Sequence, residues 1–175
     1  EPDRAAMEGE IYRIEQYVEF ALQYQRLEGG HKDLVFAHYS LESIVKKALK
    51  KTGVLFRRTK LALELGNLQT DVLTDEKWLV FVLEQVLTNA VKYTRKGKIS
   101  IYLDPEKEKT LVVEDTGMGI RPEDLPRIFE WGYTGYNGRI KNRATGIGLA
   151  LCRQTMEMLG HRISAKSEPG KGTCI

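Results

Sequence analysis

The chain has 175 residues, 42% of them hydrophobic and 29% charged, enough for one well-buried domain with a short appendage, and no run approaches the eighteen apolar residues of a membrane span. Its net charge of +3 is spread along the chain with Lys and Arg among Asp and Glu, so no basic arm for nucleic acid stands out. Cys152 and Cys174 fall on a predicted helix and a predicted terminal strand without ligand-like neighbours, which favours reduced buried thiols over a disulfide framework. The start at Glu1 has neither an initiator Met nor a signal-peptide layout, and Ile175 stops within a predicted strand. An excised piece of a longer protein is expected.

From residue 7 to 25, Met7, Ile11, Ile14, Val18 and Ala21 recur at steps of four and three, the seam of a helix in a coiled coil or bundle. One such seam cannot bury itself, so it is expected to pack on a copy of itself or on a helix outside the chain, or else to fold back on its own domain. Gly29-Gly30 ends the helix and divides an appendage, 1–30, from a main domain, 31–175. Asp33 to Tyr39 reads as a strand. Ser40 caps a helix to Lys51 that turns Leu41, Ile44, Val45, Ala48 and Leu49 inward. Leu61, Leu63 and Leu65 alternate as in a half-buried strand, with Asp71 to Thr74 as its short partner.

A long helix is expected from an Asp75 cap to Tyr93, then a hairpin of Lys98–Leu103 and Thr110–Glu114 around Asp104-Pro105. Gly146-Ile147-Gly148 opens a further helix, Leu149 to Leu159, and Arg162–Ser167 with Gly172–Ile175 forms a second hairpin around Pro169-Gly170. The fold class that follows is α/β, a two-layer sandwich of a mixed, mostly antiparallel sheet covered on one face by three helices. Residues 120–145 interrupt this pattern. With two Pro, several Gly and five Arg or Lys but no period, they read as a long functional loop or lid.

On the Asp75 helix, Leu83, Val86, Leu87 and Ala90 take the core face, while Gln85, Asn89 and Lys92 stack opposite. A solvated stripe would look the same, but a charge-poor Gln and Asn followed by Lys also suits a nucleotide. An amide oxygen can complete the shell of a Mg2+ ion that already holds phosphates and waters, and an ammonium can neutralise a phosphate. Asp115, next to the strand Leu111-Val112-Val113-Glu114, can accept a hydrogen bond from the exocyclic amine of adenine. Guanine would offer it a carbonyl oxygen, so ATP is favoured over GTP. Gly117 and Gly119 let the chain turn beneath the base, Ile120 can pack on it, and the free amides of the helix after Gly146 can face phosphates. No phosphate loop, dinucleotide fingerprint, His-Glu-x-x-His or Gly-x-Ser-x-Gly motif is present.

The order Asn89-Ala90-Val91-Lys92-Tyr93, Asp115-Thr116-Gly117-Met118-Gly119, Phe129 and Gly146-Ile147-Gly148-Leu149 resembles the N box, first glycine box, F box and second glycine box of sensor histidine kinases. The resemblance runs from Asp33 onward. It implies the Bergerat-type sandwich shared with gyrase-type and heat-shock chaperone ATPases, with ATP and Mg2+ as cofactors. Asn89 would hold the metal, Lys92 and Tyr93 would approach the phosphates, and Asp115 would bind adenine with Thr173 in support. Ile147 and Leu149 would line the phosphate end that Gly146 and Gly148 shape. Gyrase-like enzymes place a water-activating glutamate where this chain has Gln85, which cannot act as a general base, so phosphoryl transfer to a residue is favoured over hydrolysis.

The resemblance also implies an acceptor histidine on the first helix of a two-helix dimerisation hairpin. His31, His38 and His161 lack the motif that accompanies it, and the helix near the start looks like the second of the pair, which puts the acceptor upstream of Glu1. A cognate response regulator, a homodimer in the longer protein, and a place as the cytoplasmic domain of a bacterial cell-membrane protein are implied as well. The lid stretch Arg127 to Arg139 is similar to that of intramembrane-sensing kinases of Gram-positive bacteria, which work beside peptide-antibiotic transporters, although Trp131 stands where that group commonly has Lys. Lys141 and Arg143 would either reach the triphosphate on lid closure or remain solvated. A hydrolytic ATPase and a non-catalytic ATP-binding switch are the alternative readings.

Overall fold

The computed structural model describes residues 2–29, 34–136, 138 and 144–175. His31 and the first residue of the expected strand at Asp33, along with Lys141 and Arg143, lie outside the described residues. The elements run α1 (Pro2–Glu28), β1 (Ala37–Ser40), α2 (Leu41–Arg57), β2 (Ala62–Leu65), β3 (Asp71–Thr74), α3 (Glu76–Tyr93), β4 (Lys98–Leu103), β5 (Leu111–Asp115), α4 (Gly148–Met158), β6 (Lys166–Glu168) and β7 (Gly172–Cys174).

Both expected caps are formed. Ser40 Oγ accepts from the Ser43 amide at 3.4 Å, and Asp75 Oδ1 accepts from the Trp78 amide at 3.2 Å. Asp75 has a second task, because its Oδ2 accepts from the Val35 amide at 2.9 Å and ties the segment before β1 to the start of α3.

A five-stranded sheet in the order β2-β4-β5-β7-β6 is antiparallel throughout except for the parallel pair of β2 and β4. The expected pairing of β3 with β2 is corrected by this topology. β3 pairs with β1, Ala37 opposite Thr74, in a separate two-stranded sheet, and β2 reaches β4 through the α3 crossover that a parallel connection requires. The alternation at β2 also misleads. Leu63 and Leu65 are exposed, because β2 is an edge strand and its side chains reach beyond the cover of the helices.

Period-2 geometry assigns Ile99, Ile101, Val113 and Asp115 to the helix side of the sheet, with Ser100, Tyr102 and Glu114 outside. Against the helix side pack α2, α3 and α4, burying Ile44, Val45, Leu87 and Leu151 to 1% exposure or less. The amphipathic α1 does not use its seam for this. Met7, Ile11, Ile14 and Val18 are exposed, whereas Phe20 and Leu27, on another face, are buried against the domain. Ile101→Ala should therefore lose about 3 kcal/mol in urea unfolding through transfer and cavity terms, while Leu65→Ala should stay within about 0.5 kcal/mol of wild type.

Candidate nucleotide site

Three segments far apart in sequence converge on the stripe that α3 presents away from the core. Gln85, Asn89 and Tyr93 occupy successive turns of that helix, covering about 12 Å of its axis. At one end Gln85 faces the second glycine box, where a β-carbon on Gly148 would come within 3.1 Å of Gln85 Oε1. At the other end the Met118 amide donates to the Tyr93 carbonyl at 3.2 Å, and a β-carbon on Gly117 would meet Tyr93 O at 2.5 Å and Thr94 Oγ1 at 2.7 Å. Asn89 lies between the two glycine boxes, half-buried, with Lys92 a turn further and 5.1 Å from the Tyr93 ring. The two glycine boxes thus adjoin opposite ends of the α3 stripe, at Gln85 and at Tyr93.

Asp115 is the last residue of β5 rather than the first beyond it, and it faces the helix side beside Ile99 and opposite Thr173. It is buried, 9% exposed, and burial pushes its carboxyl above the ordinary carboxylate range against the opposing pull of the Gly117 and Thr173 amides. The Gly117 N–H donates to Oδ1 at 2.8 Å. The glycines act here mainly through close backbone approach. Gly119, at φ +68°, leaves no room for a side chain beside the Glu168 carbonyl, and the Gly170 amide donates to Met118 O at 2.8 Å, so the β6–β7 turn clasps the first glycine box from beyond.

Ser167 is a site-supporting residue that no motif marks. Its Oγ accepts from the Ile120 amide at 2.8 Å, donates to Gly172 O at 2.8 Å, and lies 2.9 Å from Thr173 Oγ1, joining Ile120 to the strand beside Asp115. Its position in a short hairpin strand carries no sequence signal. At the opposite end, Ile147 precedes the first residue of α4 and its amide donates to Thr145 Oγ1 at 3.3 Å, while the following first-turn amides of Gly148, Leu149 and Ala150 have no partner within the helix, as at any helix start. Gly146, at φ +70°, packs on the lid root, where the Gly132 amide donates to its carbonyl at 2.9 Å.

The donor set fits Mg-ATP. A buried carboxylate can receive an amine, the open turn of α4 can receive phosphate, and the amide between them can receive a hard cation. Among the described residues no cluster of three or more His, Cys, Asp or Glu could hold a metal by itself, and no helix is long and apolar enough to cross a membrane.

Comparison with known proteins shows what the chain is similar to. Residues 74–175 match the family described as histidine kinase-, DNA gyrase B- and HSP90-like ATPase. The chain is 39% identical over 165 residues to the sensor protein BceS of Halalkalibacterium halodurans, covering 94% of this chain and 49% of that protein. It is 33% identical over 181 residues to the sensor histidine kinase YxdK of Bacillus subtilis, covering 100% and 55%. It therefore spans about half the length of these curated relatives. The Acinetobacter baumannii histidine kinase AdeS superposes with a TM-score of 0.71 at 23% identity, covering 94% of this chain and 77% of that one. Full-length ShkA in complex with AMPPNP gives 0.73 at 22%, covering 90% and 33%.

The raised Asp115 carboxyl has a stability consequence. Relative to the unfolded chain, with its carboxyl near 4, the folded state binds this proton more tightly. The protonated group's contribution is thus present below pH 4 and lost as pH rises through the folded value. Denaturant melts of Asp115→Asn and wild type from pH 4 to 7 should show the difference moving in the variant's favour as pH rises.

Proposed function

This chain belongs to the histidine kinase, DNA gyrase B and HSP90-like ATPase family, and on that premise we propose that it is the catalytic part of a sensor histidine kinase. In this reading it binds Mg-ATP and presents the γ-phosphoryl group to a histidine on a helix upstream of Glu1, for relay to a response-regulator aspartate. The observation that carries the proposal is the α3 stripe, which runs from the buried Asp115 carboxylate and first glycine box at one end to the start of α4 at the other, with Asn89 between.

Asp115 accepts the adenine amine and rejects guanine, with Thr173 and Ile120 held beside it by Ser167. Gly117 and Gly119 keep this floor against α3 and the β6–β7 turn. Lys92 and Tyr93 serve the phosphates, with Tyr93 kept as a neutral phenol because burial raises its hydroxyl. Gly146, Ile147, Gly148 and Leu149 form the anion-receiving start of α4. Bound Mg2+ supplies neutralisation of phosphate charge, and Asn89 is the side chain placed to hold it. Gln85 sits over Gly148 where a general base would be needed to activate water, and its carboxamide takes no proton. Positioning and electrostatics thus favour an imidazole acceptor over hydrolysis.

The two faces of α1 support a hairpin origin for that helix. Phe20, Tyr24 and Leu27 engage the domain, with Tyr24 and Trp131 meeting edge to face at 5.4 Å, while the Met7 to Val18 seam stays available to a bundle partner in a homodimer. The sensor relatives favour a membrane-anchored kinase, and the lid resemblance favours one that works with a peptide-antibiotic transporter.

The test is γ-labelled ATP with this domain joined to its upstream helices. Acid-labile, base-stable label on the helices is expected, falling at least 100-fold in Asn89→Ala. Steady phosphate release without protein label would instead establish a hydrolase, and an unimpaired Asn89→Ala would remove the metal assignment.

A further inference from the structure

The lid has almost no core of its own. Among described residues 121–136, Asp124 is the one that is buried, at 8% exposure, and it carries an acidic side chain. Burying a carboxylate is unfavourable unless its oxygens are engaged, so the surroundings of Asp124 show what the site is for. A local role is excluded by the geometry. Asp124 precedes the short 3-10 turn Leu125–Arg127 but makes no side-chain capping bond to it. Instead both oxygens reach forward along the chain. Oδ1 accepts from the Tyr133 hydroxyl, Oδ2 accepts from the Tyr136 amide at 3.0 Å, and a side chain at Gly135, whose φ is +57°, would press on the same carboxylate at 3.2 Å.

Two guanidinium groups complete this hub. Arg127 lies 4.2 Å from the centroid of the Tyr133 ring and Arg121 lies 3.3 Å from that of Tyr136. A cation over a phenol draws electron density from it and makes its hydroxyl a better donor to an anion. Backbone bonds then carry the order toward the cleft. The Gly138 amide donates to Thr134 O at 3.1 Å, and a β-carbon built on Gly138 would stand 3.8 Å from the Tyr93 hydroxyl and 2.9 Å from Ala144 Cβ. The segment that Asp124 grips therefore ends against α3 and the approach to the second glycine box.

We propose that Asp124 is a positioning residue, which holds Tyr133 to Tyr136, and Gly138 through Thr134, in place beside Tyr93 before nucleotide arrives and so lowers the ordering cost of lid closure on ATP. Its effect on catalysis rests on the nucleotide-binding reading above, while its effect on lid order does not. Preorganisation acts on binding rather than on the transferred group, so the kinetic signature is confined to KM. Asp124 touches neither the expected phosphate nor the acceptor.

The experiment compares wild type, Asp124→Asn, Tyr133→Phe and the double variant, each in the longer protein with its upstream helices. Amide hydrogen exchange without nucleotide should show the Tyr136 and Gly138 amides exchanging at least 10-fold faster in Asp124→Asn, with the α3 amides unchanged. KM for ATP in autophosphorylation should rise about 10-fold in each single variant with kcat within about 3-fold. The double variant should fall short of the combined losses of the two single variants, because the Tyr133 hydroxyl bond is common to both substitutions. Unchanged exchange at Tyr136 and Gly138, additive losses in the double variant, or a fall in kcat at constant KM would each overturn the assignment. Failure of wild type to bind Mg-ATP would overturn the nucleotide reading, and the exchange result would still decide whether Asp124 orders the lid.

Discussion

A carboxylate turned toward the helix layer at the end of β5 is the constraint from which the rest of the cleft follows. Asp115 stands in line with Val113 and across from Ile99 on the sheet face where β4 and β5 otherwise bury Ile99, Ile101 and Val113, so the alternation that builds the core also drives an acid into it. Leaving such a group buried and uncompensated costs several kcal/mol. The Gly117 amide offsets part of this, and a ligand that brings an N–H donor offsets more. An apolar residue at position 115 would serve the sheet better, and its absence is the physical mark of a site.

The surrounding backbone is arranged to keep that carboxylate beside α3. Gly117 lies too close to Tyr93 O and Thr94 Oγ1 for any β-carbon, Met118 bonds to the helix end, and Gly170 bonds back to Met118. These contacts lock the first glycine box between a helix terminus and a hairpin turn. The second glycine box is held by other neighbours, the Gly132 backbone 2.5 Å from a β-carbon built on Gly146, and Gln85 and the Phe20 ring of α1 at 3.1 and 3.7 Å from one built on Gly148.

Much of this was legible in the sequence, because the signals were local. The Ser40 and Asp75 caps, the α3 core face, the β4–β5 and β6–β7 hairpins and both glycine boxes depend on residues within a few positions of each other. What escaped was set by distant partners. The choice between β1 and β2 as the mate of β3 is a tertiary one, and Leu63 and Leu65 alternate as a buried strand would while lying on an exposed edge. Ser167 and Asp124 are ordinary loop or strand residues by composition, and their importance arises from bonds reaching 47 and 12 residues along the chain. The α1 seam was readable from its spacing, but the second face, formed by Phe20, Tyr24 and Leu27, became evident only against Trp131 and Gly148.

Purine selectivity is the property that follows most directly from a single group, and titration calorimetry with ATP and GTP reads it. Wild type should bind Mg-ATP at least 100-fold more tightly than Mg-GTP, and Asp115→Asn, whose carboxamide can present a donor to the guanine oxygen, should lose about 10-fold or more for ATP and narrow the gap. Equal affinity of wild type for the two nucleotides, or an Asp115→Asn titration indistinguishable from it, would contradict the account at its centre.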